Sequence, residues 1–250
     1  MIFRQLFEPT SSTYTYLIAC EDTREAILVD PVLETFSRDL DVLKDLGLTL
    51  AYTLDTHIHA DHLTSALKLS SITGAKIAMP STAHVGCADV QVSEDKPLTI
   101  GTVTLKPLFT PGHTDHHLSY LFDAGANQAV MTGDALLIDG CGRTDFQGGS
   151  SAELYRSIHN KLFTLPGETL VYPGHDYKGR AVSSIAQERT RNPRLKDGTD
   201  EKTFVQIMTD LDLPFPKKLG LAVPANVLCG QCPDTVPDEM DKLCEIAVQG

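Results

Sequence analysis

Three histidines and an aspartate lie close together in residues 57–62 of this chain, whose sequence is HIHADH. Buried polar side chains need partners, so this cluster is poor material for an apolar core. Imidazole and carboxylate groups together are ligands that zinc, iron and manganese take in proteins. The cluster therefore predicts a metal site that draws on His57, His59, Asp61 and His62.

A strand and a helix are predicted on either side of this cluster. Residues 50–54 are mostly apolar and are typical of a buried strand, and Leu63, Ala66, Leu67 and Ile72 then follow at helical spacing. Open α/β sheets bind ligands beyond the carboxyl ends of their strands. We therefore expect the cluster to lie in the loop that connects this strand to this helix.

Three later segments also end a predicted strand and carry a metal-ligand side chain. They are residues 111–115 (PGHTD), 132–134 (TGD) and 172–176 (YPGHD), and they contribute His113, Asp134 and His175. Pro-Gly and Thr-Gly pairs form tight turns that let the backbone approach a site closely. The four segments in this order predict one metal site built from all of them.

The remaining histidines carry no such pattern. A lone histidine is more often a surface residue or a satisfied core residue than a ligand, and we interpret His84, His116, His117 and His159 in this way.

Composition and charge narrow the class of protein. The 250 residues allow one large domain or two small ones, and 42% hydrophobic with 22% charged residues is ordinary for a globular chain. A formal net charge of −12 argues against a nucleic-acid or anionic-membrane partner. We see no apolar run of about 18 residues and no secretory signal, and therefore expect no membrane association.

The six cysteines are irregularly spaced and do not resemble a disulfide framework. A reducing cytoplasm is therefore the expected location. Cys229 and Cys232 form a single C-x-x-C in a proline-rich setting, which we interpret as structural rather than redox-active. Cys141 lies near the predicted site, and packing is its simpler interpretation.

Strands and helices alternate along the chain and predict an α/β fold with sheets covered by helices. Predicted strands include residues 2–6, 13–20, 26–30, 76–79, 102–108, 118–122, 128–132 and 170–172. A capping box begins a helix at Ser150, and residues 180–192 are also typical of a helix. We expect a single domain over residues 1–250, with a looser C-terminal extension from about residue 193.

The H-x-H-x-D-H, G-H, G-D and G-H motifs together resemble the metallo-β-lactamase superfamily. This resemblance implies an αββα sandwich, in which two mixed sheets pack together with helices outside. Two metal positions map onto this chain. The first set is His57, His59 and His113, the second is Asp61, His62 and His175, and Asp134 lies between them.

Within that superfamily the chain resembles the persulfide dioxygenases. The similar runs are residues 55–65, 133–138, 140–147, 163–167, 172–177 and 188–195, of which 142–147 (GRTDFQ) is the most specific. The resemblance implies one Fe(II) per chain, bound by His57, His113 and Asp134 as a two-histidine, one-carboxylate triad. His59, Asp61, His62 and His175 would then orient ligands and waters by hydrogen bonds. Because the full two-metal ligand set is present, the metal count rests on the resemblance alone.

The implied reaction oxidises glutathione persulfide with O2 and water to sulfite and glutathione. Arg143 would bind a carboxylate of the tripeptide, with an ion pair to Asp145 as the alternative. Tyr177 would contact glutathione or form an aromatic rim. Arg189 and Arg194 would be further contacts or solvated charges. A homodimer is expected by resemblance.

Two alternatives stay open at this point. A glyoxalase II-like zinc hydrolase would cleave S-acyl glutathione with a bridging hydroxide. Ala60, the run 63–65 (LTS) and the run 142–146 (GRTDF) depart from the pattern of that family. A non-catalytic sensor of glutathione or metal is the weaker alternative, because an intact triad with open positions is present.

Overall fold

The computed structural model describes residues 1–233 and 244–246. The chain divides into two compact units. The first unit holds Met1–Val92, Thr99–Val103 and the chain from Pro214 onward, and the second holds Ser93–Leu98 and Thr104–Leu213. The single domain stays a prediction, and the last part of its predicted extension, residues 234–243 and 247–250, lies outside the described residues.

The first sheet has six strands in sequence order and is mixed. Strands β1 to β3 pair antiparallel, whereas β3 to β6 pair parallel. The strands are β1 (Ile2–Glu8), β2 (Thr13–Ala19), β3 (Glu25–Val29), β4 (Thr49–Leu54), β5 (Lys76–Pro80) and β6 (Val90–Val92). All of β2 is buried, as expected for a strand covered on both faces.

Three helices belong to the first unit: α1 (Phe36–Asp45), α2 (Ala66–Thr73) and, later in the chain, α6 (Leu219–Asn226). Helices α1 and α2 are the crossovers that parallel pairing requires. Leu43 of α1 and Leu69 of α2 pack with Leu17, Leu28 and Leu50 of the sheet in one apolar cluster. The predicted order of strand, polar cluster and helix is confirmed, because β4 ends at Leu54 and α2 begins at Ala66.

The second sheet also has six strands, in the order β12-β11-β10-β9-β8-β7, and is mixed. Strands β10 and β11 pair parallel, whereas β9 pairs antiparallel with both β8 and β10. The strands are β7 (Leu98–Ile100), β8 (Val103–Phe109), β9 (Leu118–Asp123), β10 (Gln128–Gly133), β11 (Leu170–Pro173) and β12 (Ser183–Ser184).

Three helices belong to the second unit: α3 (Ser151–Ser157), α4 (Ile185–Arg191) and α5 (Glu201–Thr209). The predicted cap is present, since Ser150 Oγ accepts a hydrogen bond from the Glu153 amide at 3.3 Å. A π-helical turn, Ile158–Leu162, continues α3. Leu154, Phe204 and Val171 lie in the apolar cluster of this unit. Two mixed sheets with helices confirm the predicted α/β class. Among the described residues, no helix has the length and apolar character needed to cross a membrane.

Two disulfides show that one expectation was wrong. Cys87 is bonded to Cys229 and Cys232 to Cys244, so the C-x-x-C cysteines each pair with a different residue. The first bond joins residues 142 positions apart. Spacing along the sequence does not reveal such a pairing, because connectivity depends on which cysteines the fold brings together.

Candidate metal centre

The loop after β4 holds most of the predicted ligands in the first unit; we call residues 55–65 the histidine loop. His57, His59 and His62 are buried. The His59 ring lies 4.2 Å from the ring of His57 and 4.2 Å from that of His62. Asp61 Oδ2 is 3.1 Å from His62 Nδ1. Single donor atoms of His59, Asp61 and His62 lie within 4.8 Å of one another.

Hydrogen bonds set the tautomer of His57. The Thr56 hydroxyl donates to Asp30 Oδ2 at 3.0 Å, so its oxygen accepts from His57 Nδ1 at 2.9 Å. Nδ1 therefore carries the proton, and Nε2 keeps the lone pair that a metal ion requires. The Thr56 amide also donates to Asp30 Oδ1 at 2.7 Å, which fixes the turn out of the strand.

His59 is held by two buried carboxylates. Its Nε2 lies 3.0 Å from Asp30 Oδ1 and 3.7 Å from Asp55 Oδ1. Burial alone would lower the pKa of His59, but the two carboxylates outweigh it and raise that pKa well above its usual range. Burial raises the pKa of Asp55, against hydrogen bonds from His59 and from the Thr64 hydroxyl.

The second unit brings together three of the predicted residues. His113 Nε2 lies 3.5 Å from Asp134 Oδ2, and His175 Nε2 lies 3.5 Å from Asp134 Oδ1. His113 Nδ1 donates to the Arg143 carbonyl at 2.7 Å, so its Nε2 is the nitrogen with the lone pair. In both His57 and His113, Nε2 is thus the nitrogen whose lone pair can bind a metal ion.

Sequence reasoning missed the role of His117. Its ring is buried, as a structural histidine should be, but its Nε2 accepts the backbone N–H of Asp134 at 3.1 Å. Its Nδ1 then donates to the Thr110 hydroxyl at 2.9 Å. The only sequence signal was the position of His117 directly before β9, which does not identify Asp134 as its partner.

Two glycines lie against the side chains of the predicted ligands His113 and Asp134. A Cβ on Gly142 would stand 2.3 Å from the Asp134 carbonyl oxygen and 2.8 Å from His113 Nδ1. A Cβ on Gly174 would stand 2.5 Å from Asp134 Oδ1. Backbone approach this close excludes any side chain, which gives a physical reason for glycine in both motifs.

The predicted substrate contacts have partners within the second unit. Arg143 makes a two-point ion pair with Asp145 at 2.7 and 2.6 Å, and its guanidinium stacks on Phe146 at 5.0 Å. The ion pair between Arg143 and Asp145, which was the alternative to a substrate contact, is therefore present in the structure. This hydrogen-bonded pair raises the pKa of Arg143 and lowers that of Asp145.

Tyr177 is 73% exposed, and its ring lies parallel to that of His175 at 6.0 Å. Arg189 pairs with Asp197 at 2.9 Å. Arg194 donates to the Cys141 carbonyl at 3.3 Å. Cys141 itself is buried, which raises the pKa of its thiol to about 11 and agrees with a packing role.

The chemistry of the donor set fits a metal ion. In the part of the chain that the structure describes, the buried atoms His59 Nδ1, His62 Nε2 and Asp134 Oδ1 have no hydrogen-bond partner. Buried polar atoms without partners are costly, and a bound cation or its waters would satisfy them. Imidazole nitrogens with carboxylate oxygens suit zinc and iron equally.

The comparisons with known proteins agree with this geometry. Residues 9–175 match the model of the metallo-beta-lactamase superfamily. The chain is 45% identical over 230 residues to the mitochondrial persulfide dioxygenase ETHE1 of Mus musculus, covering 92% of this chain and 89% of that protein. It is 36% identical to a probable hydroxyacylglutathione hydrolase of Schizosaccharomyces pombe, covering 88% and 91%. The crystal structure of ETHE1 from Myxococcus xanthus superposes with a TM-score of 0.89 at 52% identity, covering 92% of this chain and 100% of that one.

The chain therefore belongs to the metallo-β-lactamase superfamily and, within it, to the family of the persulfide dioxygenases. The predicted fold, the predicted family and the expectation of an enzyme are thereby confirmed.

Proposed function

We propose that this chain oxidises glutathione persulfide with O2 and water to sulfite and glutathione, using one Fe(II). The single observation that carries the reaction is the 45% identity to a persulfide dioxygenase along nearly the whole chain. The proposed ligands are His57, His113 and Asp134, which are two imidazoles and one carboxylate. Such a triad, when occupied by Fe(II), supplies open coordination positions and redox chemistry to substrate and O2.

The surrounding residues hold the proposed ligands in the protonation state and orientation they need. Thr56 with Asp30 fixes His57, and the Arg143 carbonyl fixes His113, so each imidazole keeps its Nε2 lone pair. His117 holds the backbone of Asp134. Outer groups of this kind raise metal affinity by orienting the ligands.

We assign His59, Asp61, His62 and His175 to hydrogen bonding around the centre. The tight bonding of His59 to Asp30 and Asp55 supports this role, because those carboxylates use the Nε2 atom of the ring. His175 already contacts Asp134, where it limits the freedom of that carboxylate.

Tyr177 and Arg143 are the proposed contacts to the glutathione part of the substrate. The exposed ring of Tyr177 stacks parallel to His175 and offers a surface next to the centre. Arg143 would exchange Asp145 for a substrate carboxylate, which costs little because Asp145 is 53% exposed and its ion pair is screened by water. Arg189 and Arg194 stay predictions, since their present partners are Asp197 and Cys141.

Thioester hydrolysis with two zinc ions is the second candidate function. The relative named as a probable hydroxyacylglutathione hydrolase and the grouping of His59, Asp61 and His62 support it. The test is anaerobic purification, metal analysis, and O2 uptake with glutathione persulfide in parallel with hydrolysis of S-acyl glutathione. We expect one iron per chain and O2 uptake. Two zinc ions with thioester hydrolysis and no O2 uptake would overturn the proposal, and metal without either reaction would indicate a sensor.

Asp134→Ala tests the ligand set in the same assay. We expect this variant to lose iron, whereas Asp123→Ala, at the exposed end of β9, should keep it. Retention of iron and activity by Asp134→Ala would remove Asp134 from the triad.

A homodimer in the cytoplasm, without nucleic-acid or membrane partners, completes the proposal. Two observations argue against the cytoplasmic part of this proposal. The relative from Mus musculus is mitochondrial by its name, and disulfides such as the two in this chain are uncommon in reducing compartments. Sedimentation of the purified chain and fractionation of cells that express it would test these two points.

A further inference from the structure

One side chain near the C-terminal end of the first unit binds the backbone of the histidine loop at three points. Asn226 Nδ2 donates to the carbonyls of His59 and His62, each at 2.9 Å. Asn226 Oδ1 accepts the backbone N–H of Thr64, also at 2.9 Å. These partners lie 162 to 167 positions earlier in the sequence.

The histidine loop needs such a partner. Residues 57–63 form no helix or strand, so their backbone groups are not bonded in a regular ladder. Asn226 is 1% exposed, which removes water as a substitute. A primary amide offers two donors and one acceptor from a short side chain, and all three functions are used here.

The chain around Asn226 is itself fixed to the loop. Leu221 and Ala225 of α6 pack with Leu63 in one apolar cluster. The Leu67 amide donates to the Cys229 carbonyl at 3.1 Å. A Cβ on Gly230 would stand 2.2 Å from the Thr64 carbonyl oxygen, so the two backbones are in direct contact. The backbone that carries Asn226 is therefore packed and hydrogen-bonded against the histidine loop.

We propose that Asn226 is a positioning residue of the metal centre, which holds His59, Asp61 and His62 in the orientation that the centre requires. The metal part of this inference rests on the proposed function. Asn226 lies beyond residues 9–175, where the superfamily model matches, so this contact comes from a part of the chain outside that match.

Asn226→Asp is the decisive variant, because it keeps the shape of the side chain but replaces both donors by a carboxylate oxygen facing two carbonyls. We expect the Fe(II) dissociation constant, measured by chelator competition, to rise about 10- to 100-fold. The new carboxylate oxygen repels the carbonyls of His59 and His62, so the side chain should also move away from the Thr64 amide. We therefore expect this amide to exchange its hydrogen about tenfold faster in the purified protein. The kcat should fall with little change in the KM for glutathione persulfide, since Asn226 is assigned no contact to the substrate.

Leu43→Ala is the matched control. It creates a cavity in the apolar cluster between α1 and the first sheet, and so lowers overall stability without a change in the histidine loop. We expect it to keep the wild-type Fe(II) affinity and Thr64 exchange. If Asn226→Asp only lowers the melting temperature as Leu43→Ala does, with both readouts unchanged, Asn226 is merely structural and the proposal is overturned.

Hydrogen exchange in the unaltered protein keeps the proposal testable if Asn226→Asp does not fold. The Thr64 amide should then exchange far more slowly than in an unfolded peptide, and exchange at the peptide rate would contradict the contact. This measurement needs no iron. An unaltered protein that shows slow Thr64 exchange but binds no Fe(II) would therefore contradict the proposed function alone.

Discussion

The three proposed ligand residues are oriented by three different kinds of partner. His57 is fixed by a neighbouring hydroxyl, His113 by a backbone carbonyl, and Asp134 by the ring of another histidine. Only the first of these partners is adjacent in sequence. The carbonyl of Arg143 is available whatever side chain stands at position 143, so substitution of Arg143 tests substrate binding without loss of the His113 hydrogen bond.

His117 provides a test of ligand orientation at a residue that does not touch the proposed metal. Replacing His117 by Leu removes the acceptor for the Asp134 amide and leaves a buried N–H without a partner. We expect the Fe(II) affinity to fall about 10- to 100-fold. Replacing His117 by Gln keeps an acceptor and should restore most of the affinity. Chelator competition measures both variants, and equal affinities would contradict the role of His117.

Asp39 provides a test of stability against pH. Burial raises its pKa from 3.8 to about 6, although Arg38 opposes the shift. The folded chain therefore binds the extra proton, and stability decreases as the pH rises from 3.8 to about 6 and stays low above it. Asp39→Asn should remove this decrease and stabilise the chain at pH 7 by about 1–3 kcal/mol.

Denaturant unfolding at several pH values measures this change. Asp41→Asn, at an exposed position of the same helix, is the control and should leave the pH profile unaltered. An Asp39→Asn variant with the original pH profile would show that Asp39 ionises normally.

Residue types predict a ligand set but not the residues that orient it. His57, His113 and Asp134 are predicted as ligands because metal-ligand types follow predicted strands at turn sequences. Asp30 and Asn226 carry no such pattern. Their roles depend on hydrogen bonds to backbone groups that only the tertiary fold brings near.

The helices and strands next to the centre follow closely from the sequence. A mostly apolar run predicted β4, and helical spacing predicted α2. The structure differs most from the sequence prediction where the sequence signals for a helix or strand are short or contradictory. Strand β12 has only two polar residues, and α6 contains Pro224, which normally ends a helix.

The segment from Gly140 to Gly142 gives a matched pair of substitutions close together in the chain. Gly142→Ala should displace the Asp134 backbone and the His113 ring, and so abolish iron binding. A Cβ on Gly140 meets only the Leu137 side chain, at 3.9 Å, so Gly140→Ala should bind iron normally. Metal analysis measures both variants, and equal iron contents would show that the backbone at residue 142 adapts to a side chain.

At the scale of the whole molecule, we expect the two disulfides to stabilise the fold unequally. The bond between Cys87 and Cys229 closes a loop of 142 residues, whereas the bond between Cys232 and Cys244 closes one of 12. In the chain-entropy model these loops correspond to about 5 and about 3 kcal/mol. Replacing both cysteines of the longer loop by serine should therefore lower the free energy of unfolding more than the same change in the shorter loop.

Chemical denaturation of the two double variants measures the difference. Equal losses would show that chain entropy does not dominate the effect of these bonds. The α/β class was accessible from the order of elements, but the disulfides were not, because the paired cysteines are distant in sequence and near only in the fold.

The longer disulfide also determines how the molecule responds to a protease. Cys87 and Cys229 both belong to the first unit, and Thr104–Leu213 of the second unit lies between them along the chain. A single cut in an exposed segment such as residues 177–179 would leave two fragments joined by this bond. The nicked protein would migrate as one species on a non-reducing gel and as two after reduction, and the second unit would stay covalently attached at both of its ends.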